Sequence, residues 1–433
     1  IQMARKIKAD KLDGNTTSLK KAGKKFWDHS WIHLAFVFLL AMLFFGNSIR
    51  NEIALDDVMV LSENTFVKKG ISGIPDIFSH DSFYGATHHA ASQLSWRYRP
   101  LSLVVFAFVY QFFGNDWMYF HLINVLCYAL ACIVAFRFIK KWVITDFKLA
   151  LVTTVFFVIH PVHCEVVANI KSLDEILAFL FTVSSLDFLL CHLKNGSNRN
   201  LWLSMFSFTL ALFAKESSAL FAGLIPLLIY CFSNKTMAQA VVNSWPFFLL
   251  TLLFVLIRIS ISAVPEITEG ITFDPYYFAS GQEKIATIAL VFGKYFLLMV
   301  YPATLIFDYG YNHIPYVRFS DATVLLSVVF HLLLTYISIR MCIKRQIAGF
   351  LLLTYLAGVL LMSNLFLNVG PIMAERFLFT PGFFLIVGLI AGTASLMQRI
   401  TSRNPNQLFG VLLLVCIPFA YSKVLARNAD WKN

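Results

Sequence analysis

Long apolar runs separated by short charged segments set the rhythm of this chain, at 31–49, 117–138, 148–160, 173–192, 201–214, 220–232, 242–264, 322–341, 349–367, 377–397 and 408–425. Each run is predominantly apolar, as expected for a helix in hydrocarbon, where every backbone polar group must be satisfied within the segment. The pattern predicts an all-α polytopic membrane protein with about 11 transmembrane helices, several shorter than the ~20 residues that a full crossing needs. Two further apolar stretches, 101–113 and 285–301, break the alternation of sides if counted as crossings. They read as helices lying along the outer interface or dipping into it, with a tight helical hairpin as the alternative for each.

Composition agrees with this class. Hydrophobic residues make up 58% of the 433 and charged residues 14%, and the mean hydropathy is +0.70. The first run starts far from the N-terminus and lacks a small-residue cleavage site, so it reads as a retained span.

Charge gives the expected orientation. With residues 1–30 as a basic cytoplasmic segment, 20 of the 35 Lys and Arg fall on the inner side. Only Asp10, Asp13, Asp28 and Asp146 oppose them there. The N-terminus is therefore expected inside and the C-terminus outside. The net charge of +11 serves as a cytoplasmic-face anchor and does not call for nucleic acid as a partner.

The expected organisation is a transmembrane domain over 31–425 with two long outer loops, 50–116 and 265–321, and an outer stub at 426–433. The sequons at Asn15, Asn195 and Asn234 all fall inside. That fits a bacterial inner membrane, with the endoplasmic reticulum as the alternative. Of seven cysteines, Cys164 alone falls in an outer loop, so no disulfide framework is expected.

The chemistry should reside in the outer loops. Asp56 and Asp57 follow the first span by a few residues, and adjacent carboxylates at a membrane face are candidates for an active site. The alternative is a pair of solvated interfacial acids. The same loop carries Asp76, His80, Asp81, His88, His89 and the cluster Trp96, Arg97, Tyr98, Arg99, and reads as a folded lid.

The next outer loop runs His160-Pro161-Val162-His163-Cys164-Glu165, followed by Lys171, Asp174 and Glu175. His160, His163 and Glu165 could ligate a divalent metal, but the spacing is not that of a zinc protease; a hydrogen-bonded network positioning a sugar or acceptor is the other reading. Lys215-Glu216 ends one span, Arg258 lies in another and Glu375-Arg376 opens a third. Three cations converging near the outer interface would suit an anionic lipid phosphate, with snorkelling as the alternative for Lys215.

Asp56-Asp57, Tyr98-Arg99-Pro100-Leu101, the His160 to Glu165 run, Lys215-Glu216 and Ala374-Glu375-Arg376-Phe377-Leu378 occur in the order seen in one family. Over roughly 56–431 the chain resembles the transmembrane O-mannosyltransferases that target cadherins and, more widely, the GT-C glycosyltransferases that include the protein O-mannosyltransferases. The resemblance implies a GT-C fold and transfer of a mannose-like hexose from a polyprenyl-phosphate carrier to a hydroxyl acceptor, protein Ser/Thr or a lipid or glycan, on the outer face. It implies Asp56, with Asp57 beside it, as catalytic base, and Arg376 and Lys215, with Arg258, as phosphate ligands. Arg99, His160, His163, Glu165, Glu175, Glu216 and Glu375 would line the site, with Glu375 holding Arg376.

No metal or other cofactor is implied; the partners are the lipid-linked sugar, a protein or glycan acceptor and membrane lipids. Where the family commonly has Gly-Arg-Ala-Asp, this chain has Ser172-Leu173-Asp174-Glu175, which keeps an acid and loses the arginine. Relatives continue past the equivalent of Arg427 to Trp431 into tetratricopeptide repeats. The alternative class, a multi-pass lipid or sugar transporter, would be expected to show internal repeats, and none is visible.

Overall fold

The computed structural model describes residues 30–88, 97–261, 274–307, 309, 313–401 and 404–432. The basic N-terminal segment with Asn15, and His89 and Trp96 of the first loop, lie outside them. The chain divides into two compact units, Ile1–Phe36 and Val37–Asn433, and the geometry below belongs to the second.

Most of the described residues are helical, with no strand among them. The principal helices are α1 (Ser30–Phe45), α2 (Pro100–Phe113), α3 (Trp117–Phe138), α4 (Phe147–Val158), α5 (Leu173–Asn195), α6 (Asn198–Ala214), α7 (Leu220–Phe232), α8 (Trp245–Ile261), α9 (Gly281–Val300), α10 (Ala322–Ile343), α11 (Ile347–Leu361), α12 (Phe379–Ile400) and α13 (Pro405–Asp430). Short polar side chains start several of them. Asp116 accepts from the Met118 N–H, Asp146 from the Leu149 N–H and Asp321 from the Thr323 N–H, satisfying donors that the first turn leaves without partners.

Among the described residues, six helical segments are long and apolar enough to cross a membrane, or up to eight if two bent pairs each count as one span. The expected eleven is not reached by this measure. Helix α11 stops at Leu361 and α7 has 13 residues, which at 1.5 Å per residue falls short of a ~30 Å hydrocarbon core. One bent pair, Phe147–Val158 with Pro161–Ala168, turns by 48°. Pro161 lacks the N–H that would continue the helix, and the His160 side chain caps the new turn by accepting from the Val162 N–H at 3.3 Å.

The two stretches that broke the alternation are helices, α2 and α9. Helix α9 runs alongside α10 in the same direction: the Thr287 hydroxyl accepts from the Val317 N–H, Gly293 lies against Ser327, and Phe296 meets Phe330 with ring centroids 4.4 Å apart. Val317 is thus level with the first turns of α9, so α9 and α10 pack side by side in parallel.

Candidate functional site

Five connections meet at one end of the bundle. The Asn51 side chain donates to the Asn428 carbonyl at 3.0 Å and the Glu52 N–H to the Lys432 carbonyl at 3.2 Å, which ties the end of the first span to the end of α13. Arg99 reaches Glu216, Arg376 reaches Glu165, and the Tyr309 N–H donates to the Met373 carbonyl. The loops assigned to one side by charge therefore share one end of the structure. At the opposite end, Asp187, which the sequence left within a span, accepts from Lys141 at 2.9 Å and from the Trp142 indole at 2.5 Å.

The Asp56-Asp57 pair sits on a strained turn. Leu55 adopts φ 54°, a left-handed backbone uncommon for a residue with a Cβ and held only where its surroundings impose it. Asp57 supplies that restraint. One of its oxygens accepts from the Ala54 N–H at 3.1 Å and the other from the Lys171 N–H at 2.7 Å, a bond across 114 residues.

Asp57 is fully buried, whereas the Asp56 side chain is 50% exposed. Asp56 Oδ2 lies 3.3 Å from Lys171 Nζ and 3.5 Å from the Arg97 guanidinium. Burial works against ionisation of Asp56, but the combined charges of Lys171, Arg97 and Arg376 outweigh it and hold the carboxyl below its ordinary range. For Asp57 burial dominates over the backbone hydrogen bonds, and the carboxyl is pushed up from 3.8 to about 6.

A pH dependence of stability follows. Between about pH 4 and about pH 6 the unfolded chain has released the Asp57 proton while the folded chain retains it, so stability falls as pH rises through this window and is flat above it. In Asp57→Asn the fall across that window should be shallower, as read from thermal unfolding midpoints in detergent. An identical slope in the variant would show that Asp57 does not titrate there.

The other charges are paired in burial. Arg99 spans two carboxylates, bidentate to Glu216 at 2.8 and 2.5 Å and at 2.7 Å to Asp174. Its position is set from both sides of the loop: the Arg99 N–H donates to the Ser82 hydroxyl, and the Asp81 carboxylate accepts from the Phe83 and Arg97 N–H groups. Lys215 is ion-paired with Glu175, both nearly buried. Arg376 donates to Glu165 through its backbone N–H at 2.8 Å and its guanidinium at 2.5 Å. Glu375, fully buried, faces Arg427 at 3.7 Å. Arg258 on α8 lies near enough for its charge to be felt at Glu216.

The two histidines of the 160–165 run are held by hydrogen bonds, His160 through both ring nitrogens and His163 through Nδ1. His160 Nε2 lies 3.1 Å from the Met299 carbonyl while Nδ1 accepts from Val162, so the ring is neutral and donates from Nε2. His163 is fully buried, its Nδ1 3.0 Å from the Tyr128 hydroxyl, which itself donates to the Val158 carbonyl. Aromatic rings of Phe157 and Phe379 enclose it. Among the described residues no three His, Cys, Asp or Glu side chains are grouped as a metal site, and the seven cysteines are free. Beneath the ion pairs lies a cavity of about 40 Å³ whose lining includes Glu175, Thr182, Ser217, Thr354, Phe377 and Thr380.

The structure thus gathers most of the expected residues at one end but redistributes their roles. Glu165, not Glu375, holds Arg376; Glu375 pairs instead with Arg427 across the start of α12. Asp57 shapes the turn that presents Asp56, and its burial keeps it from meeting a substrate hydroxyl. Glu165 and His163 support the site from beneath and do not line it. In Ser172-Leu173-Asp174-Glu175, Leu173 is buried where the arginine was expected and both acids are ion-paired. In sequence, Arg97, Lys171 and Asp174 read only as charged residues of their loops and Arg427 has no role; Lys171 stands at the mouth of a span and Arg97 before the apolar stretch 101–113.

In comparisons with known proteins, the chain is 25% identical to a protein O-mannosyl-transferase of Caenorhabditis elegans, with 93% of this chain and 56% of that one covered. It is 23% identical to protein O-mannosyl-transferase TMTC1 of Mus musculus, over 90% of this chain and 52% of that one. With protein O-mannosyl-transferase TMTC4 of Homo sapiens the identity is 25%, over 91% and 59%. The chain spans about half the length of these curated relatives. No family model matches it, and no solved structure does.

Proposed function

We propose, from its homology to protein O-mannosyl-transferases, that this chain transfers a mannose-like hexose from a polyprenyl-phosphate carrier to a Ser or Thr hydroxyl of a protein, at the end of the bundle that bears Asp56. The observation that carries the proposal is the half-exposed Asp56 carboxylate, placed among Lys171, Arg97 and Arg376 in a chain with these relatives.

Asp56 takes the proton of the acceptor hydroxyl as its oxygen attacks the anomeric carbon. The new carbon–oxygen bond forms as the bond from that carbon to the phosphate oxygen breaks, and the electron pair leaves on the lipid phosphate. Arg376, braced by Glu165, faces that phosphate and neutralises the charge that develops there. Attack opposite the leaving phosphate inverts the anomeric centre in a single displacement. Fixed cations suffice for one leaving phosphate, so the proposal includes no metal.

The GT-C fold, an outward-facing or lumenal site and the crossing count needed for it belong to the same proposal. The relatives named are animal proteins, which lends nothing to a bacterial inner membrane and favours the endoplasmic-reticulum alternative. A transporter would want its charges at mid-membrane; here the ion pairs of Asp56, Arg99, Lys215, Arg376 and Arg427 gather at one end, and Lys141–Asp187 lies at the other.

Purified full chain, incubated with polyprenyl-phosphate mannose and a Ser/Thr-rich acceptor peptide in the presence of a chelator, should yield α- or β-mannosyl peptide of configuration opposite to the donor. Retained configuration would overturn the single displacement. Activity that vanished with chelator and returned with one divalent ion would overturn metal independence. Movement of the lipid across liposomes with no sugar transferred would favour the transporter.

A further inference from the structure

The site's charges do not balance evenly, and the imbalance is local. Lys215 meets Glu175, Arg376 meets Glu165, Arg99 meets both Glu216 and Asp174, and Arg427 meets Glu375 and Asp430. Each of these cations has at least one carboxylate to itself. At Asp56 the ratio reverses, because Lys171 and Arg97 converge on the same oxygen, Oδ2.

The neighbouring acid does not relieve this. Asp57 spends its oxygens on the backbone N–H groups of Ala54 and Lys171. The Lys171 side chain is 12% exposed, so its charge is largely withdrawn from water; the carboxylates that act on it are Asp174, already bound by Arg99, and Asp56. Both side chains are long and lie beside a carboxylate that is itself open to solvent.

We infer that Lys171 and Arg97 form the seat for the phosphate of the donor lipid, and that Asp56 is the anion they hold until it arrives. This rests on the transferase reading and assigns cations that the sequence placed at Lys215 and Arg258. When the phosphate binds, the two side chains swing from Asp56 onto its oxygens. Asp56 then loses the counter-charges that depress its basicity and becomes free to accept the hydroxyl proton. Binding is therefore ordered, donor before acceptor, and the base is poor in the empty protein and competent in the loaded one.

The test is direct binding of polyprenyl phosphate, without sugar, to the full chain in detergent. Lys171→Met and Arg97→Met should each weaken binding by roughly tenfold or more, the loss expected for a charge-assisted hydrogen bond. Lys171→Arg should keep most of the affinity. Lys69→Met, which removes a cation from the same loop at a pair with Asp76 away from the site, should leave it unchanged. Asp56→Asn, which removes the competing anion, should bind at least as tightly as the parent. Parent-like binding by both Met variants would overturn the inference. Arg97 is the more exposed of the two, so its variant decides the matter if Lys171→Met does not fold. A parent protein that fails to bind polyprenyl phosphate at all would instead remove the transferase reading beneath it.

Discussion

Asp56→Asn is expected to lower sugar transfer by roughly 10²–10⁴-fold, the contribution typical of a positioned general base, with no loss of folded protein and no loss of donor affinity. Asparagine has nearly the same shape and can still accept from Lys171, but it cannot take a proton. The Asp56 side chain is half exposed, but Lys171 is 12% exposed and loses its ion-pair partner, so the substitution should lower the unfolding midpoint somewhat while leaving the protein folded. The measurement is single-turnover transfer at saturating lipid-linked mannose. A rate within a few-fold of the parent would place the base elsewhere. Asp57 would not be its replacement, because that carboxylate is buried and committed to two backbone N–H groups.

The contrast between these two acids shows where sequence reading reaches its limit. Adjacent carboxylates after a hydrophobic span are visible as a pair, and nothing in the pair itself says which one faces solvent. The distinction arises from the Lys171 N–H, 114 residues away, which draws Asp57 inward and turns Asp56 out. Glu375 and Glu165 differ for the same reason. Adjacency made Glu375 the natural holder of Arg376, yet the turn at Glu375–Leu378 sends neighbouring side chains in different directions, one to Arg427 on α13 and one to Glu165.

The helices were far more legible, because in hydrocarbon an apolar run has few structures open to it. Runs 117–138 and 220–232 coincide with α3 and α7 as observed. The run 349–367 does not: α11 stops at Leu361, and Asn364 follows with φ 58° and its amide donating to the Pro371 carbonyl at 2.8 Å. Apolarity there continued beyond the helix, and hydropathy alone cannot locate that end. The direction of α9 was likewise out of reach, since its packing beside α10 depends on contacts such as Phe296–Phe330 and not on its own composition.

The largest expected effect on stability belongs to Arg99→Ala. Arg99 has a 12% exposed side chain and joins the first loop to both the start of α5 and the turn after α6, through Asp174 and Glu216. Removing it leaves two carboxylates facing one another's neighbourhood without their shared cation, and breaking a buried pair in this way costs about 3–5 kcal/mol. Arg99→Lys retains the charge but not the fork that serves both acids, so it should lie between the two. If the loss comes from the stranded acids, Arg99→Ala combined with Glu216→Gln should recover part of it, because the second change removes one unpaired charge. Yield of monodisperse protein and the thermal midpoint in detergent would measure all three. A stable Arg99→Ala protein with the parent's midpoint would mean that water or another cation already neutralises Asp174 and Glu216, and that the anchoring of the first loop resides instead in Asp81 and Ser82, whose hydrogen bonds to the Arg97–Arg99 backbone this substitution leaves intact.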